Sequence, residues 1–416
     1  MSTTIATCRA CGGKELAPVL SLGKTPLANA LLAADDLAKP ESTFPLELVF
    51  CPSCTLVQIT EEVPPETMFG EYLYFSSFSD TMVKHAETIA ARLTKDQGLG
   101  PKSLVVEVAS NDGYLLQHYA KAGVPVLGVE PARNIAKVAE EKGIRTLCRF
   151  FGRELAEELR AKGERADVIH ANNVLAHVPD LEGVVAGFGA LLKDEAPGQR
   201  AGVAVVEAPY VRDLVDHCEF DTIYHEHLCY FSLTALDRLT ARHGLVIHDV
   251  ERLAIHGGSL RIFFSKAGAY ERSERVTALL GEEKASGVDT LAFYAGFANR
   301  VNGLKTELVS VLRDLKAKGA RIAAYGAAAK GATLVNFFGI GADLVDFVVD
   351  RSTYKQGRYM PGARIPILPP AALVEKKPDY CLLLAWNFAD EILAQQKDYR
   401  DGGGKFIVPI PNVRIA

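Results

Sequence analysis

The stretch LVVEVASNDGYLLQHYAKAGVPVLGVE, residues 104–130, holds the pattern on which the fold turns. LVVEVA (104–109) is a short apolar run rich in β-branched side chains, SNDGYLLQHYAKAG reads as a turn opening a helix, and VPVLGVE is a second run ending in Glu130. Strand, turn, helix and strand in that order make a βαβ unit, because the connection is long enough to cross over and set the two strands parallel. Downstream, ADVIHANNVLAHV (166–178), GVAVVEAPY (202–210) and LRIFFSK (260–266) supply further strands with helical stretches between several of them. The alternation predicts a parallel sheet covered by helices on both faces.

Ligands of such sheets bind at the carboxyl ends of the strands, where loops replace pairing and main-chain groups are free to face a ligand. Glu107, the Ser110–Asn111–Asp112–Gly113 turn and Glu130 all fall there. A carboxylate ending the second strand suits two ribose hydroxyls, and a turn of small residues lets the backbone approach closely. The plainer reading of Glu130 is a solvated loop carboxylate. G-x-G-x-x-G is absent, which weakens a dinucleotide and leaves S-adenosylmethionine, with no pyrophosphate to cradle, as the better candidate.

Toward the N-terminus, Cys8 and Cys11 (CRACGG) and Cys51 and Cys54 (CPSC) form two C-x-x-C pairs. Each tight turn points two sulfurs at one ion, and the two turns together supply four thiolates for a closed tetrahedral Zn²⁺ site with no position left for chemistry. A redox dithiol or two unrelated pairs are the alternatives. The zinc is expected to be structural, since this region has few large apolar residues and metal ligation adds folding free energy. Between the pairs, LSLGKTPLANALL to TFPLELVF reads as a turn, a short helix and a strand delivering Cys51 and Cys54. In the aromatic stretch EYLYFSSFS that follows, Tyr72, Tyr74, Phe75 and Phe78 pack the small lobe onto its neighbour or, for a tyrosine, reach a ligand.

Beyond the sheet strands, TIYHEHLCYFS (222–232) sets Tyr224, His225, Glu226, His227 and Tyr230 in one short stretch. A buried core does not tolerate that density of titratable groups without partners. Zincin spacing is absent, so a second metal is disfavoured, and a hydrogen-bonded corner of the fold is the plain alternative. Imidazole, with an ordinary pKa of ~6.5, suits a general base, and a tyrosine hydroxyl or second imidazole can donate to an oxygen that gains negative charge. His177, at the end of another strand, is a supporting candidate, and His256 in HGGSLR stands further from the chemistry.

At the C-terminal end, 293–319 has helical periodicity and RIAAYG then AAAKGATLVNFFG read as strand and helix, opening a second α/β unit. Lys330 at the start of that helix suits a pyrophosphate, or is a surface lysine on a tight turn. LVDFVVD ends in Asp350 and leads into a basic, aromatic loop with Arg351, Tyr354, Lys355 and Arg358, while DYCLLLAWNF ends in Trp386 and Asn387. These residues fit a diphosphate and a base.

The whole has 416 residues, 48% hydrophobic and 23% charged, which predicts two or three globular units. A net charge of −5 argues against broad nucleic-acid binding, and no apolar run approaches the ~18 residues of a membrane span. MSTTIATCRACGG has no charged then apolar leader, so the expectation is a cytoplasmic enzyme; the sequence does not fix its oligomeric state, and a monomer is one option.

Taken together, the four cysteines, EVASNDGYLL, GVEPARN, NNVLAHVPD, TIYHEHLCYFS, HGGSLR, YGAAAKG, DRSTYKQGRYMPG and LLLAWNF resemble the sugar C-methyltransferases of deoxysugar biosynthesis, over nearly the whole chain. The resemblance implies an α/β protein: a class I methyltransferase (Rossmann-like) core at 71–266, a zinc-binding lobe at 1–70 and a C-terminal Rossmann-like sugar-nucleotide lobe at 267–416. It places S-adenosylmethionine against Glu107, Ser110, Asn111, Gly113, Glu130, Asn172 and Asn173. The glycine-rich signature of commoner methyltransferases is altered, with one glycine in the turn. It also implies a dTDP-linked 4-keto-deoxysugar methylated at C-3, with His227 as base, Tyr224 as alternate base or enolate donor, Glu226 orienting an imidazole, and His225 and His177 in support. Tyr72, Tyr74, Lys330, Arg351, Tyr354, Lys355, Trp386 and Asn387 are the expected substrate contacts. The rivals are a small-molecule O- or N-methyltransferase and a noncatalytic sugar-nucleotide-binding protein.

Overall fold

A computed structural model describes residues 2–64 and 75–416. The expected contacts Tyr72 and Tyr74, and the side chain of His256, lie outside the described residues.

The central sheet has seven strands: β6 (Val105–Val108), β7 (Val126–Val129), β8 (Thr146–Leu147), β9 (Val168–Asn172), β10 (Val203–Pro209), β12 (Leu245–Leu253) and β13 (Ser259–Lys266), in the order β12-β13-β10-β9-β6-β7-β8. Numbered from its own first strand this is 3-2-1-4-5-7-6, and β8, β7, β6, β9 and β10 run parallel. Their buried, Val-rich sequences suit strands covered on both faces.

LRIFFSK departs from the expectation, since β13 is antiparallel to β10 and to β12. Only Ala254–Gly258 separates β12 from β13, too short for a crossover helix, so the pair closes as a hairpin.

The N-terminal lobe is a four-stranded antiparallel sheet, β11-β4-β3-β2, from β2 (Ala17–Thr25), β3 (Phe44–Phe50), β4 (Val57–Ile59) and β11 (Cys229–Tyr230), beside the small pair β1 (Thr3–Thr4) and β5 (Glu61–Glu62). LSLGKT therefore belongs to a strand rather than the expected turn, because Leu20 and Leu22 are buried on either side of exposed Ser21, in the period of a pleat, and the run pairs with β3. The turn of helix is confined to Ala34–Asp36. β11 comes from the histidine-rich segment, with Cys229 opposite Gln58 and Tyr230 opposite Val57.

The third sheet, β16-β15-β14-β17-β18-β19, joins β14 (Ile322–Tyr325), β15 (Val348–Val349), β16 (Ile367–Leu368), β17 (Tyr380–Leu383), β18 (Lys405–Val408) and β19 (Arg414–Ile415), parallel except for the last strand. The helix Phe297–Ala317 precedes it and Ala329–Phe338 follows β14.

The zinc lobe grips the C-terminal loop: Leu32 and Tyr359 exchange main-chain hydrogen bonds at 3.0 and 2.9 Å, and Glu41 accepts from Gly362 N–H at 2.7 Å and Arg364 Nε at 3.0 Å. One contiguous apolar core runs through all three sheets.

Candidate active site

The four cysteine sulfurs converge within 4.8 Å of one another, with Cys8 Sγ 3.4 Å from Cys54 Sγ and Cys11 Sγ 3.6 Å from Cys51 Sγ. Zn–S bonds of ~2.3 Å in a tetrahedron place sulfurs ~3.8 Å apart, so the cluster fits a Cys₄ zinc ion. Gly13 makes room for it, because a Cβ there would meet Cys11 Sγ at 3.2 Å.

The cofactor residues gather at the carboxyl ends of β6, β7 and β9. Glu130 reaches back from β7, accepting the Asn111 N–H through Oε2 and the Ala132 N–H through Oε1, both at 2.9 Å. Ala109, Asn111 and Asn173 have positive φ, as does Gly113, where a Cβ would also meet Ile144 at 2.9 Å. Backbone strain of this kind concentrates at functional sites and needs surrounding structure to hold it. Asn111 Oδ1 accepts the Ser76 and Asp112 N–H groups at 2.9 Å. Lys142 Nζ binds Asp112 Oδ2 at 2.9 Å, and Ser77 Oγ bonds the same carboxylate. The Ser110 side chain fills the space over Gly128 of β7, where a Cβ would stand 2.4 Å from its Oγ.

Four buried side-chain oxygens here lack a partner, Glu107 Oε2, Ser110 Oγ, Asp112 Oδ1 and Asn172 Oδ1. Leaving such groups unsatisfied costs ~1–3 kcal/mol each, which marks the pocket as built for a polar ligand. Burial pushes the Glu107 carboxyl well above the ordinary carboxylate range, with Glu130 and Asp112 adding to the shift. Burial also raises Glu130, against the two main-chain donors. The orphaned acceptors and cramped backbone fit S-adenosylmethionine, whose ammonium and ribose hydroxyls are donors.

The histidine-rich corner is more sharply resolved than its sequence. His227 Nδ1 lies 2.8 Å from the Thr222 carbonyl, which can only accept, so that nitrogen carries the hydrogen. Its Nε2 is then the basic atom, and the Tyr224 hydroxyl donates to it at 2.7 Å. The His177 ring packs edge-on to His227 with centroids 4.8 Å apart, and burial lowers His177 to about 4, keeping it neutral. Leu228 N–H donates to the Ala176 carbonyl at 2.6 Å, fastening the corner to the loop that leaves β9, three residues past Asn173.

The Glu226 carboxylate does not reach the His227 imidazole, whose Nδ1 faces the Thr222 carbonyl, while the Glu226 main chain bonds the His177 imidazole. The Glu226 carboxylate instead accepts from Asn29 Nδ2 of the zinc lobe at 2.7 Å, and burial pushes it up to about 7. His225 also turns to the zinc lobe, with Nε2 3.0 Å from the Pro45 carbonyl and its ring against Phe44. Both side chains alternate away from the Tyr224–His227 pair and tie it to the neighbouring sheet.

In the C-terminal lobe, Arg351 is exposed and 3.9 Å from Glu391, and Tyr354 is exposed and roughly parallel to Phe75 at 6.4 Å. Lys355 Nζ donates to the Ala327 carbonyl at 2.9 Å, and Asn387 is half-buried. Lys330 Nζ is buried 5.0 Å from the Trp386 ring centroid, and the indole N–H donates to Asp221. Sequence reading missed Asn29, Lys142, Thr222 and Asp221. Only the last two carried a signal, their nearness to His227.

The strand order, the strained turn and the unsatisfied acceptors at its end define an S-adenosylmethionine-dependent methyltransferase that carries a structural zinc site. Family models agree by region: a zinc binding domain at 8–69, a methyltransferase domain at 82–250 and a C-methyltransferase C-terminal domain at 254–411. The chain is 38% identical to C-methyltransferase NovU of Streptomyces niveus over 412 residues, 99% of this chain and 97% of that protein. It belongs to the C-methyltransferase family of the sequence resemblance, the sugar C-methyltransferases. A ubiquinone biosynthesis O-methyltransferase from Azorhizobium caulinodans is 33% identical over 106 residues, 24% of this chain and 39% of its own. Magnesium protoporphyrin IX methyltransferase from Synechocystis PCC 6803 with bound SAM superposes at TM-score 0.34 and 15% identity over 49% of this chain and 89% of that one. Among the described residues no helix is long and apolar enough to cross a membrane.

Proposed function

We propose that the enzyme methylates C-3 of a dTDP-linked 4-keto-deoxysugar in the cytoplasm, in deoxysugar and antibiotic biosynthesis. The observation that carries this reading is the Tyr224–His227 pair, whose tautomer is set by Thr222 and which sits against His177 beside the cofactor strand. An O- or N-methyltransferase needs a base alone, whereas carbon attack also needs a donor for an enolate oxygen, and this corner holds both kinds of group. NovU, a C-methyltransferase matched end to end, supports carbon as the acceptor.

Bound S-adenosylmethionine supplies an electrophilic methyl on a sulfonium. Glu107, Ser110, Asn111, Gly113, Glu130 and the Asn172–Asn173 turn would hold it. The Tyr224–His227 pair takes the C-3 proton, with Nε2 as its final acceptor. The C–H electron pair becomes the enolate, whose oxygen is met by hydrogen-bond donors of this corner. The corner then keeps the enolate carbon open to the methyl that bound S-adenosylmethionine would supply, and releases its hold on the oxygen as the C-4 carbonyl re-forms. Arg351, Tyr354, Lys355 and Asn387 hold the nucleotide handle, while Glu226 and His225 brace the corner.

The test is incubation with a dTDP-4-keto-deoxysugar in deuterium oxide, with S-adenosylhomocysteine in place of the methyl donor. Deuterium should enter C-3 with the native enzyme and not with His227→Asn, and S-adenosylmethionine should yield a C-3 methyl. A product methylated on oxygen, or methylation with no exchangeable C-3 proton, would overturn the reading.

A further inference from the structure

We propose that Trp386, Lys330 and Asp221 act as positioning residues that hold the Thr222 carbonyl, and through it the His227 imidazole, in the orientation needed for proton removal. The inference rests on the function proposed above and moves Lys330 and Trp386 from substrate contacts to supports of the base.

Asp221 lies in the 3₁₀ turn Phe220–Thr222 and is fully buried. Its Oδ2 accepts the Trp386 Nε1–H at 2.7 Å, a bond between chain positions 165 residues apart. The next residue, Thr222, presents the carbonyl that faces His227 Nδ1 at 2.8 Å. On its other side the turn is clamped by Phe220, stacked on Phe338 with centroids 4.9 Å apart and planes at 20°. Phe338 ends the helix Ala329–Phe338, whose second residue is Lys330. The turn that fixes the tautomer of the base is thus held at both flanks by the C-terminal lobe.

The chemistry of the trio is unusual for a packing device. Lys330 Nζ is buried, has no hydrogen-bond partner, and sits 5.0 Å from the centroid of the indole that donates to Asp221. A cation on the face of an indole withdraws electron density from the ring and strengthens its N–H as a donor. Burial raises Asp221 to about 6, and the Lys330 charge followed by the indole bond opposes that rise. Glu219, two residues earlier, faces the same ammonium and is pushed by burial up to about 8. Buried charges are weak stabilisers compared with apolar side chains of the same volume, whereas a fixed orientation is something they do confer in some proteins. A diphosphate beside Lys330 would also have to approach two buried carboxyl groups, which argues against the simple substrate-contact reading.

The test uses the full-length zinc-loaded enzyme with S-adenosylhomocysteine and ¹⁵N-labelled histidine, the His227 ring signals being assigned by their loss in His227→Asn. In Trp386→Phe, the Nδ1–H signal of His227 should lose its protection from exchange and its titration midpoint should move. In turnover, kcat should fall about tenfold with KM for the sugar nucleotide unchanged, and the pH profile of kcat should shift with the NMR midpoint. Lys330→Met should act in the same direction and Lys330→Arg should restore both readouts. Trp386 is the single tryptophan of the chain, so its emission in Asp221→Asn reports the broken contact without removing the indole. Should Trp386→Phe fail to fold, Lys330→Met and Asp221→Asn carry the same measurements. Unchanged His227 signals in these variants, or a loss confined to KM, overturn the inference. Because the NMR arm needs no turnover, a native enzyme that fails to methylate the sugar would end the proposed function while the positioning role is still judged.

Discussion

Two carboxylates in different lobes grip two turns in the same way. Glu130, just past β7, takes the Asn111 and Ala132 N–H groups at 2.9 Å, and Asp350, just past β15, takes the Ala327 and Ser352 N–H groups at 2.8 Å. Each fastens the turn after the first strand of its unit to the end of the second. The surroundings differ. Lys355 stands 3.7 Å from Asp350 and bonds the Ala327 carbonyl, so the C-terminal turn is closed by its own cation. Glu130 has no Lys, Arg or His within 4.0 Å among the described residues, and its neighbour Glu107 keeps an unpartnered oxygen. A shared strand-turn-helix geometry therefore does not decide what is bound; the charge left unsatisfied around it does.

The sharpest way to break the comparison is to remove the base beside the core turn. His227→Asn should lower kcat by about 10²–10⁴-fold with S-adenosylhomocysteine affinity unchanged, whereas Lys355→Met should raise KM for the sugar nucleotide and leave kcat near native. Steady-state kinetics with calorimetric titration separate the two, and an equal loss of kcat in both would erase the distinction.

Next in size is zinc removal. The Tyr224–His227 corner hangs on the zinc lobe through β11, Asn29 and Pro45, but the adenosine cleft does not. Chelation should therefore reduce methylation by at least about 10–100-fold while S-adenosylhomocysteine still binds, because structural zinc supplies folding free energy to the lobe that braces the corner. Parallel loss of both would show that the cleft also depends on the metal.

Glu130→Gln should weaken S-adenosylmethionine about tenfold, through a poorer acceptor for ribose hydroxyls, and Asp350→Asn should not change that affinity. Equal effects in a binding titration would return the two carboxylates to one role.

The smallest effect is on pH-dependent stability. Glu219, Glu226 and Asp221 are raised by burial to about 8, 7 and 6, so the folded chain holds protons that the unfolded chain has released. Their contribution is complete below the ordinary carboxylate values and is lost as pH rises through about 6 to 8. Glu226→Gln should flatten the fall in Tm across that range by about 2–4 °C in thermal melts, and Asp350→Asn should leave its slope unchanged.

Much of the frame was legible before any coordinates. The βαβ run at 104–130 announces itself through alternating strand and helix composition, and two C-x-x-C pairs gather at one site because each turn already aims its sulfurs. The antiparallel pairing of LRIFFSK was not legible, since an apolar run is the same read in either direction and only the short link to β12 sets its sense. LSLGKT misled because glycine and lysine dilute its alternation. Within TIYHEHLCYFS the residue types were visible but not their bearings: Tyr224 and His227 pair with each other, while His225 and Glu226 turn to Pro45 and Asn29.

By itself the sequence determined which chemical groups are present, how they are spaced, and that a zinc lobe and two α/β units carry them. Those follow from local periodicity and from ligand spacing within a few residues. Tertiary structure alone decided that a carbonyl one residue past Asp221 sets the tautomer of His227, and that an indole and an ammonium from the far lobe stand behind it. The reason is physical: a proton's place on an imidazole depends on an acceptor within about 3 Å, and no pattern along the chain records which distant residues are brought that close.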